Sequence, residues 1–207
     1  MFKKSRIEAL SDAVFAIAMT LLILDIKVPP VGVEPGQLAA AIRGDAHEWI
    51  SFAFTFALSS LFWTYQHLVF DAIDEVGKEG LVLTFAFLAF VSVLPFSTSL
   101  WGHHLNQRLA FVLYFANQFA LAALLTAKLE ISRVKARLHA GVSTERLRLR
   151  LYSLCTMMAS ASLAAWLMPL KYVFVVPATL GVVGRLLRRR SAKRTARLAS
   201  RNTAAKS

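Results

Sequence analysis

Apolar residues fill most of the chain in long stretches, and short polar segments separate these stretches. A helix needs about 20 apolar residues to cross the hydrocarbon core of a bilayer. Backbone groups in lipid must also form their hydrogen bonds within their own segment, which favours helices. The pattern therefore predicts six spanning helices, at residues 6–28, 46–71, 80–101, 106–131, 147–168 and 171–188.

The composition agrees with an all-α integral membrane protein. Hydrophobic residues make up 57% of the 207 residues, and the mean hydropathy is +0.54. A soluble domain of this length could not bury so much apolar surface. We assign residues 1–190 to one transmembrane domain and residues 191–207 to a basic tail, predicted to be disordered because it lacks apolar periodicity. The single cysteine, Cys155, excludes an intrachain disulfide and a cysteine-based metal cluster, and we expect no cofactor.

The basic residues indicate how the spans are oriented. The formal net charge is +12, and the lysines and arginines lie between or after the apolar blocks. With a cytoplasmic N-terminus, the six spans place 20 of these residues in the cytoplasm and 4 outside, the four being Lys27, Arg43, Arg108 and Lys171. This bias predicts that both termini are cytoplasmic. We expect the tail to contact anionic lipid headgroups rather than nucleic acid.

The first predicted helix has one apolar face and a separate pair of polar residues. At 100° per residue, six side chains share a face that we call the axial face: Arg6, Leu10, Ala13, Ile17, Leu21 and Leu24. Thr20 lies at its edge, whereas Ser11 and Asp12 point toward other helices. An ionisable side chain within a span costs several kcal/mol, so Asp12 is expected to have a function. The apolar stripe alone is common and does not identify a pore.

The residues from Arg6 through Ser11 and Asp12 to Ile17 resemble the first-helix signature of the transmembrane protein 175 family, the lysosomal-type potassium channels. In the second span, Trp63 and His67 match the family's Trp-x-x-His-His segment, with a glutamine in place of its first histidine. The third span contains Leu-Pro-Phe-x-Thr, another family segment, at residues 94–98. The resemblance covers the first four spans, and the last two match mainly in length and hydropathy.

The resemblance implies a fold and a site. In the family, the first helices of four six-helix units line the conduction path, so a chain with one unit is expected to form a homotetramer. The narrowest ring would be Ile17, with Leu21 and Leu24 as further apolar rings and Thr20 as a hydroxyl ring that contacts the ion. Arg6 would lie at the pore mouth, paired with a neighbouring helix. The permeant ion would be potassium, and a prokaryotic member would lie in the plasma membrane.

Four polar residues are expected to support the pore helix. Trp63 precedes His67 by four residues, so the two share a helix face. We hypothesise that this face holds the Ser11 and Asp12 pair and fixes the angle of the first helix. Tryptophan and histidine near a helix end are also typical of interface anchors, and this alternative stays open.

The same residues leave two other functional classes open, a proton-coupled or proton-permeable protein and a scaffold, and they argue against an enzyme. A proton-coupled transporter or a proton-permeable cation leak would use Asp12 and His67. A scaffold would bind its partner through the basic tail. An enzyme is not expected, because the sequence contains no nucleophile elbow, phosphate-binding glycine loop or dinucleotide fingerprint. His103 and His104 are adjacent and point in different directions, unlike a helical zinc pair, so they are expected at the membrane interface.

Overall fold

A computed structural model describes residues 3–29, 31–32, 34, 36–44, 46–139 and 144–167. In these residues the regular elements are helices: α1 Lys4–Leu21 with a 3₁₀ turn at Leu22–Asp25, α2 Leu38–Gly44, α3 Ala46–Ala72, α4 Lys78–Ser92, α5 Leu94–His103, α6 Arg108–Val134 and α7 Glu145–Leu167. The predicted all-α fold is confirmed for this part of the chain. The sixth predicted span, 171–188, and the tail at 191–207 lie outside the described residues.

Three helical segments in the described part are long and apolar enough to cross a membrane. They are Lys4–Asp25, Lys78–His103 and Arg108–Val134. The helices α3 and α7 coincide with the predicted spans 46–71 and 147–168, and both contain charged residues in their first turns. Six spans per chain therefore remains a prediction.

The third predicted span consists of two helices that meet at a bend. Helix α4 ends at Ser92, and α5 begins at Leu94 with Pro95 in its first turn. Proline lacks a backbone N–H and its ring crowds the preceding turn, so a continuous helix is disfavoured here. Helix α5 packs against α3 and α6, and it also contacts α1 and the 3₁₀ turn that follows α1.

The connection between the first two spans contains a helix that the sequence analysis missed. No span was predicted between residues 28 and 46, and Leu38–Gly44 are helical there. Leucine and a run of alanines have high helix propensity, which explains this short element.

The core lies where α6 packs between α4 and α7. Tyr114 is fully buried, and its hydroxyl lies 2.8 Å from the hydroxyl of Thr55. Thr98 donates to Thr55 at 3.1 Å, so this chain of hydroxyls joins α5, α3 and α6. Because every buried hydroxyl needs a partner in low dielectric, the chain fixes the register of the three helices.

Lys128, one of the basic residues counted on the cytoplasmic side, has a buried side chain. Lys128 was assigned to the cytoplasmic flank, but its side chain is only 1% exposed. Its ammonium group lies 3.3 Å from the centroid of the Phe70 ring, and no hydrogen-bond partner of the ammonium is found in the described part. The amine of this lysine thus packs against the aromatic face of Phe70.

Candidate functional site: the uncovered face of the first helix

Helix α1 has one buried face and one face that the single chain leaves uncovered. The sequence from Lys4 to Asp25 contains neither proline nor glycine, so α1 passes directly into the 3₁₀ turn. Ile7, Ser11, Phe15 and Ala18 are buried at helical spacing, and the Phe15 ring packs 5.8 Å from Phe87 of α4. This packing fixes which residues point away from the rest of the chain.

The predicted axial face coincides with the uncovered face. Ile17 of α1 is 60% exposed, and Leu24 of the 3₁₀ turn that follows is 74% exposed. The remaining residues of that face are also exposed, namely Arg6, Leu10, Ala13 and Leu21. A large apolar surface of this kind requires a cover, which in a membrane is lipid or another protein chain.

Thr20 is exposed at the edge of this face, and its hydroxyl hydrogen is directed inward. The hydroxyl donates to the carbonyl oxygens of Ala16 and Ile17, both at 2.9 Å. Threonine commonly makes such bonds to the preceding helical turn. The oxygen lone pairs remain exposed, so the side chain can accept a hydrogen bond or contact a cation.

Arg6 was expected to pair with a neighbouring helix. The side chain is exposed, and within the described residues no hydrogen bond or ion pair involves its guanidinium group. The single chain therefore leaves this charge at one end of the uncovered face.

Asp12 is held by the second predicted span. The indole N–H of Trp63 donates to Asp12 Oδ1 at 2.8 Å, and the His67 ring packs on Trp63 with centroids 5.2 Å apart. A charge-assisted hydrogen bond of this length is among the stronger polar contacts. It joins α1 to α3 on a different side of the helix from the uncovered face.

Ser11 forms its hydrogen bond within α1 and not with α3, as had been hypothesised. The hydroxyl is buried and donates to the carbonyl oxygen of Ile7 at 2.8 Å, within its own helix. Trp63 therefore contacts Asp12 directly, His67 contacts Trp63, and Ser11 satisfies its hydrogen bond one turn earlier.

A second polar cluster, at the opposite end of α1 from Arg6, was not anticipated from the sequence. Asp25, Glu48, Ser99 and His103 come together there from the 3₁₀ turn, α3 and α5. The sequence signal was weak, because these residues are far apart along the chain and form no recognised motif. Among the described residues, no group of three or more metal-ligating side chains has the geometry of a metal site.

Comparison with known proteins now gives the context of this geometry. Residues 6–95 match the family model for the endosomal/lysosomal potassium channel TMEM175. A potassium channel of Streptomyces collinus is 35% identical over 107 residues, which is 52% of each chain. The endosomal/lysosomal proton channel TMEM175 of Mus musculus is 33% identical over 142 residues, covering 61% of this chain and 28% of that one. The alignment thus spans about half of the bacterial relative and less of the mouse protein.

The fold extends the similarity beyond the aligned sequence. The crystal structure of a lysosomal potassium-selective channel TMEM175 homologue from Chamaesiphon minutus superposes with a TM-score of 0.63 at 26% identity. The superposition covers 87% of this chain and 97% of that chain. The first-helix signature, the related sequences and the shared helical fold thus make this chain similar to the TMEM175 channels.

Proposed function

We propose that the chain is a potassium-permeable ion channel in which four copies of α1 surround the conduction path. One observation carries the proposal: the apolar face of α1 that contains Ile17 is uncovered although the opposite face is packed. The relatives support it, because the Streptomyces collinus protein is called a potassium channel and the Chamaesiphon minutus homologue potassium-selective. Ion flow, rather than catalysis, is the activity proposed.

The proposed mechanism is a hydrophobic constriction. Four Ile17 side chains form the narrowest ring, with Leu21 and Leu24 as further apolar rings toward the other end of the helix. A narrow apolar ring gates by dewetting and forces an ion to lose part of its hydration shell. Potassium loses water more readily than sodium, so potassium is modestly favoured. The exposed oxygen of Thr20 replaces part of the lost water.

Four chains are proposed because one α1 cannot enclose a path. The homotetramer lies in the plasma membrane with both termini of each chain in the cytoplasm, and Arg6 at the cytoplasmic mouth. The transmembrane domain spans residues 1–190, and the tail at 191–207 contacts anionic headgroups. Potassium is the permeant ion, and no cofactor takes part.

A proton-permeable leak is the second candidate. The relative from Mus musculus is called a proton channel, and Asp12, Trp63 and His67 form a row of contacting polar groups at the α1–α3 joint. Titratable groups within a membrane are the usual parts of a proton path. A potassium-selective dye signal without acidification of the vesicle lumen would exclude this candidate.

The test is potassium flux from vesicles that contain the purified protein. Ile17→Asn places an amide in the ring and keeps it wet, so we expect flux to rise about tenfold, equivalent to a barrier lowered by about 1.4 kcal/mol. Preference for potassium over sodium should weaken at the same time.

Val82 of α4 provides the matched control, because it is an apolar residue of similar exposure at 66%. Val82→Asn should leave both flux and selectivity unchanged. Equal effects of the two substitutions, or no effect of Ile17→Asn, would remove Ile17 from the conduction path.

A further inference from the structure

Two arginines at the start of α7 lie on a different side of the helix from its contact with α6. Arg148 forms a hydrogen bond through Nε with Glu130 of α6. At 100° per residue, Arg146 and Arg150 each lie about 200° from Arg148, and they are neighbours on successive turns. Both are exposed, and within the described residues neither guanidinium group forms a hydrogen bond or an ion pair. Two unpaired cations therefore lie side by side on α7.

These arginines line a cavity between the end of α3 and the start of α7, which we call the α3–α7 cavity. Its volume is about 380 Å³, within the range of sites that bind small molecules. Three further lining residues are apolar and form its apolar wall, namely Leu68, Ala72 and Leu147. None of the lining residues that the structure describes belongs to α1, so the cavity is separate from the axial face.

A buried hydroxyl group also lines the cavity. Thr144 is only 8% exposed, and among the residues that the structure describes no hydrogen bond of its hydroxyl is found. Its contact with α7 is a backbone bond, from the Arg148 N–H to the Thr144 carbonyl oxygen at 2.9 Å. Because a buried hydroxyl without a partner is costly, a ligand that forms a hydrogen bond with it is favoured.

The charges around the cavity favour a singly charged anion. Asp71 of α3 is a lining residue too, so its carboxylate and the two arginines give a net charge of +1. The first N–H groups of a helix lack partners within the helix and carry a partial positive charge, which the start of α7 adds. Glu145 in the same turn is exposed and is not a lining residue. The cavity is thus complementary to a group with one negative charge.

The cavity lies where both helices change from charged to uncharged sequence. Helix α3 has no lysine, arginine, aspartate or glutamate between Glu48 and Asp71, and the described part of α7 has none after Arg150. In a spanning bundle, such a change marks the boundary between headgroups and hydrocarbon. The arginines and the apolar wall therefore meet at the level where a lipid changes from its headgroup to its acyl chains.

We propose that the α3–α7 cavity binds the headgroup phosphate of an anionic phospholipid. The phosphate lies between Arg146 and Arg150 and accepts a hydrogen bond from the Thr144 hydroxyl, while the acyl chains pack along the apolar wall. Guanidinium groups match phosphate oxygens in geometry as well as in charge. A phosphodiester carries one negative charge, which balances the net charge of the cavity. This single site on folded helices differs from the general attraction expected of the tail at 191–207, and it does not depend on ion flow.

Native mass spectrometry of the full-length protein in detergent tests the site, with short-chain phosphatidylglycerol as the probe. Titration gives a dissociation constant, and short-chain phosphatidylcholine, which has the same phosphodiester but no net charge, is the comparison. We expect phosphatidylglycerol to bind about tenfold more tightly. Arg146→Gln and Arg150→Gln should each weaken its binding about fivefold. Unchanged binding in both variants would overturn the proposal.

Arg108→Gln is the matched control. Arg108 is also an exposed arginine in the first turn of a helix, and it is not a lining residue of the cavity. The substitution removes the same charge and should leave the dissociation constant unchanged. A loss equal to that of Arg146→Gln would show that overall charge, and not the cavity, determines lipid binding.

Asp71→Asn gives a result that misfolding cannot imitate. Removal of this carboxylate raises the net charge of the cavity from +1 to +2, so phosphatidylglycerol should bind about threefold more tightly. Thr144→Val keeps the shape of the side chain but removes the hydroxyl, and should weaken binding about threefold. Weaker binding in Asp71→Asn would contradict the proposed position of the phosphate.

Inorganic phosphate distinguishes a lipid headgroup from a free anion. When phosphatidylglycerol half-saturates the site, an equal concentration of inorganic phosphate should displace none of it, because phosphate has no acyl chains to pack on the apolar wall. Displacement of the lipid under these conditions would overturn the lipid assignment in favour of a site for free phosphate.

Discussion

A hydrogen bond to α3 acts together with the packing of Phe15 on Phe87 to set the rotation of α1 about its axis. Asp12 accepts from the indole of Trp63 at 2.8 Å, and Asp12 lies on a different side of the helix from Ile17. Because a helix is rigid over two turns, holding Asp12 on α3 also determines the direction in which Ile17 points.

We predict that Trp63→Phe and Asp12→Asn are coupled by about 0.5–1 kcal/mol in thermal unfolding, because both groups are partly exposed and water weakens the bond. A double-mutant cycle in detergent measures this value. Trp49 is the control, since it is 42% exposed where Trp63 is 40% exposed. Coupling of Asp12→Asn with Trp49→Phe of equal size would show that the effect is general loosening.

The sequence allowed some residue positions to be predicted and not others. Helical periodicity placed Ile17 and Leu24 on one face, and both are exposed, Ile17 on α1 and Leu24 in the 3₁₀ turn that follows it. The partner of Ser11 could not be inferred, because a serine hydroxyl can bond its own helix or a neighbour equally well. The position of His103 beside Asp25 and Glu48 could not be inferred, because these two carboxylates lie on other elements.

At the scale of elements, a single acidic side chain of α6 holds α7 against it. Glu130 of α6 accepts hydrogen bonds from Arg148 Nε at 2.5 Å and from the Tyr152 hydroxyl at 3.1 Å. The side chains of Glu130 and Arg148 are only about a quarter exposed. One carboxylate thus joins the end of α6 to the first two turns of α7.

We predict that Glu130→Gln lowers the melting temperature by about 2 °C, because the charged acceptor shared by two donors becomes a neutral amide. Differential scanning fluorimetry in detergent gives the measurement. Glu145→Gln is the control, since Glu145 is an exposed acidic residue in the first turn of α7. A larger effect of Glu145→Gln would mean that helix-terminus charge, and not the α6–α7 contact, controls stability.

Element positions could be predicted well where long apolar runs defined them. Helices α3 and α6 lie within a few residues of the expected spans 46–71 and 106–131. The break between α4 and α5 next to Pro95 follows from the backbone donor that proline lacks. The short helix α2 was not predicted, because seven residues are too few for periodicity to be distinguished from a loop.

At the scale of the whole molecule, the main question is what covers the axial face. In the proposed tetramer the Ile17 side chains of neighbouring chains approach one another, whereas lipid would keep them apart. In a Cys155→Ala background, Ile17→Cys should therefore form disulfide-linked dimers on mild oxidation, detected on a non-reducing gel. Val82→Cys, of similar exposure, should remain monomeric. Equal cross-linking of the two would contradict an axial position for Ile17.

The inward hydrogen bonds of Thr20 have a consequence for the sign of the permeating charge. Its hydroxyl hydrogen is committed to Ala16 and Ile17, so a ring of four such groups offers acceptors and no donors. An anion needs donors to replace its hydration water and would find none at that level. In the proposed tetramer, this backbone bonding would therefore disfavour chloride, even though an arginine stands at one end of the same face.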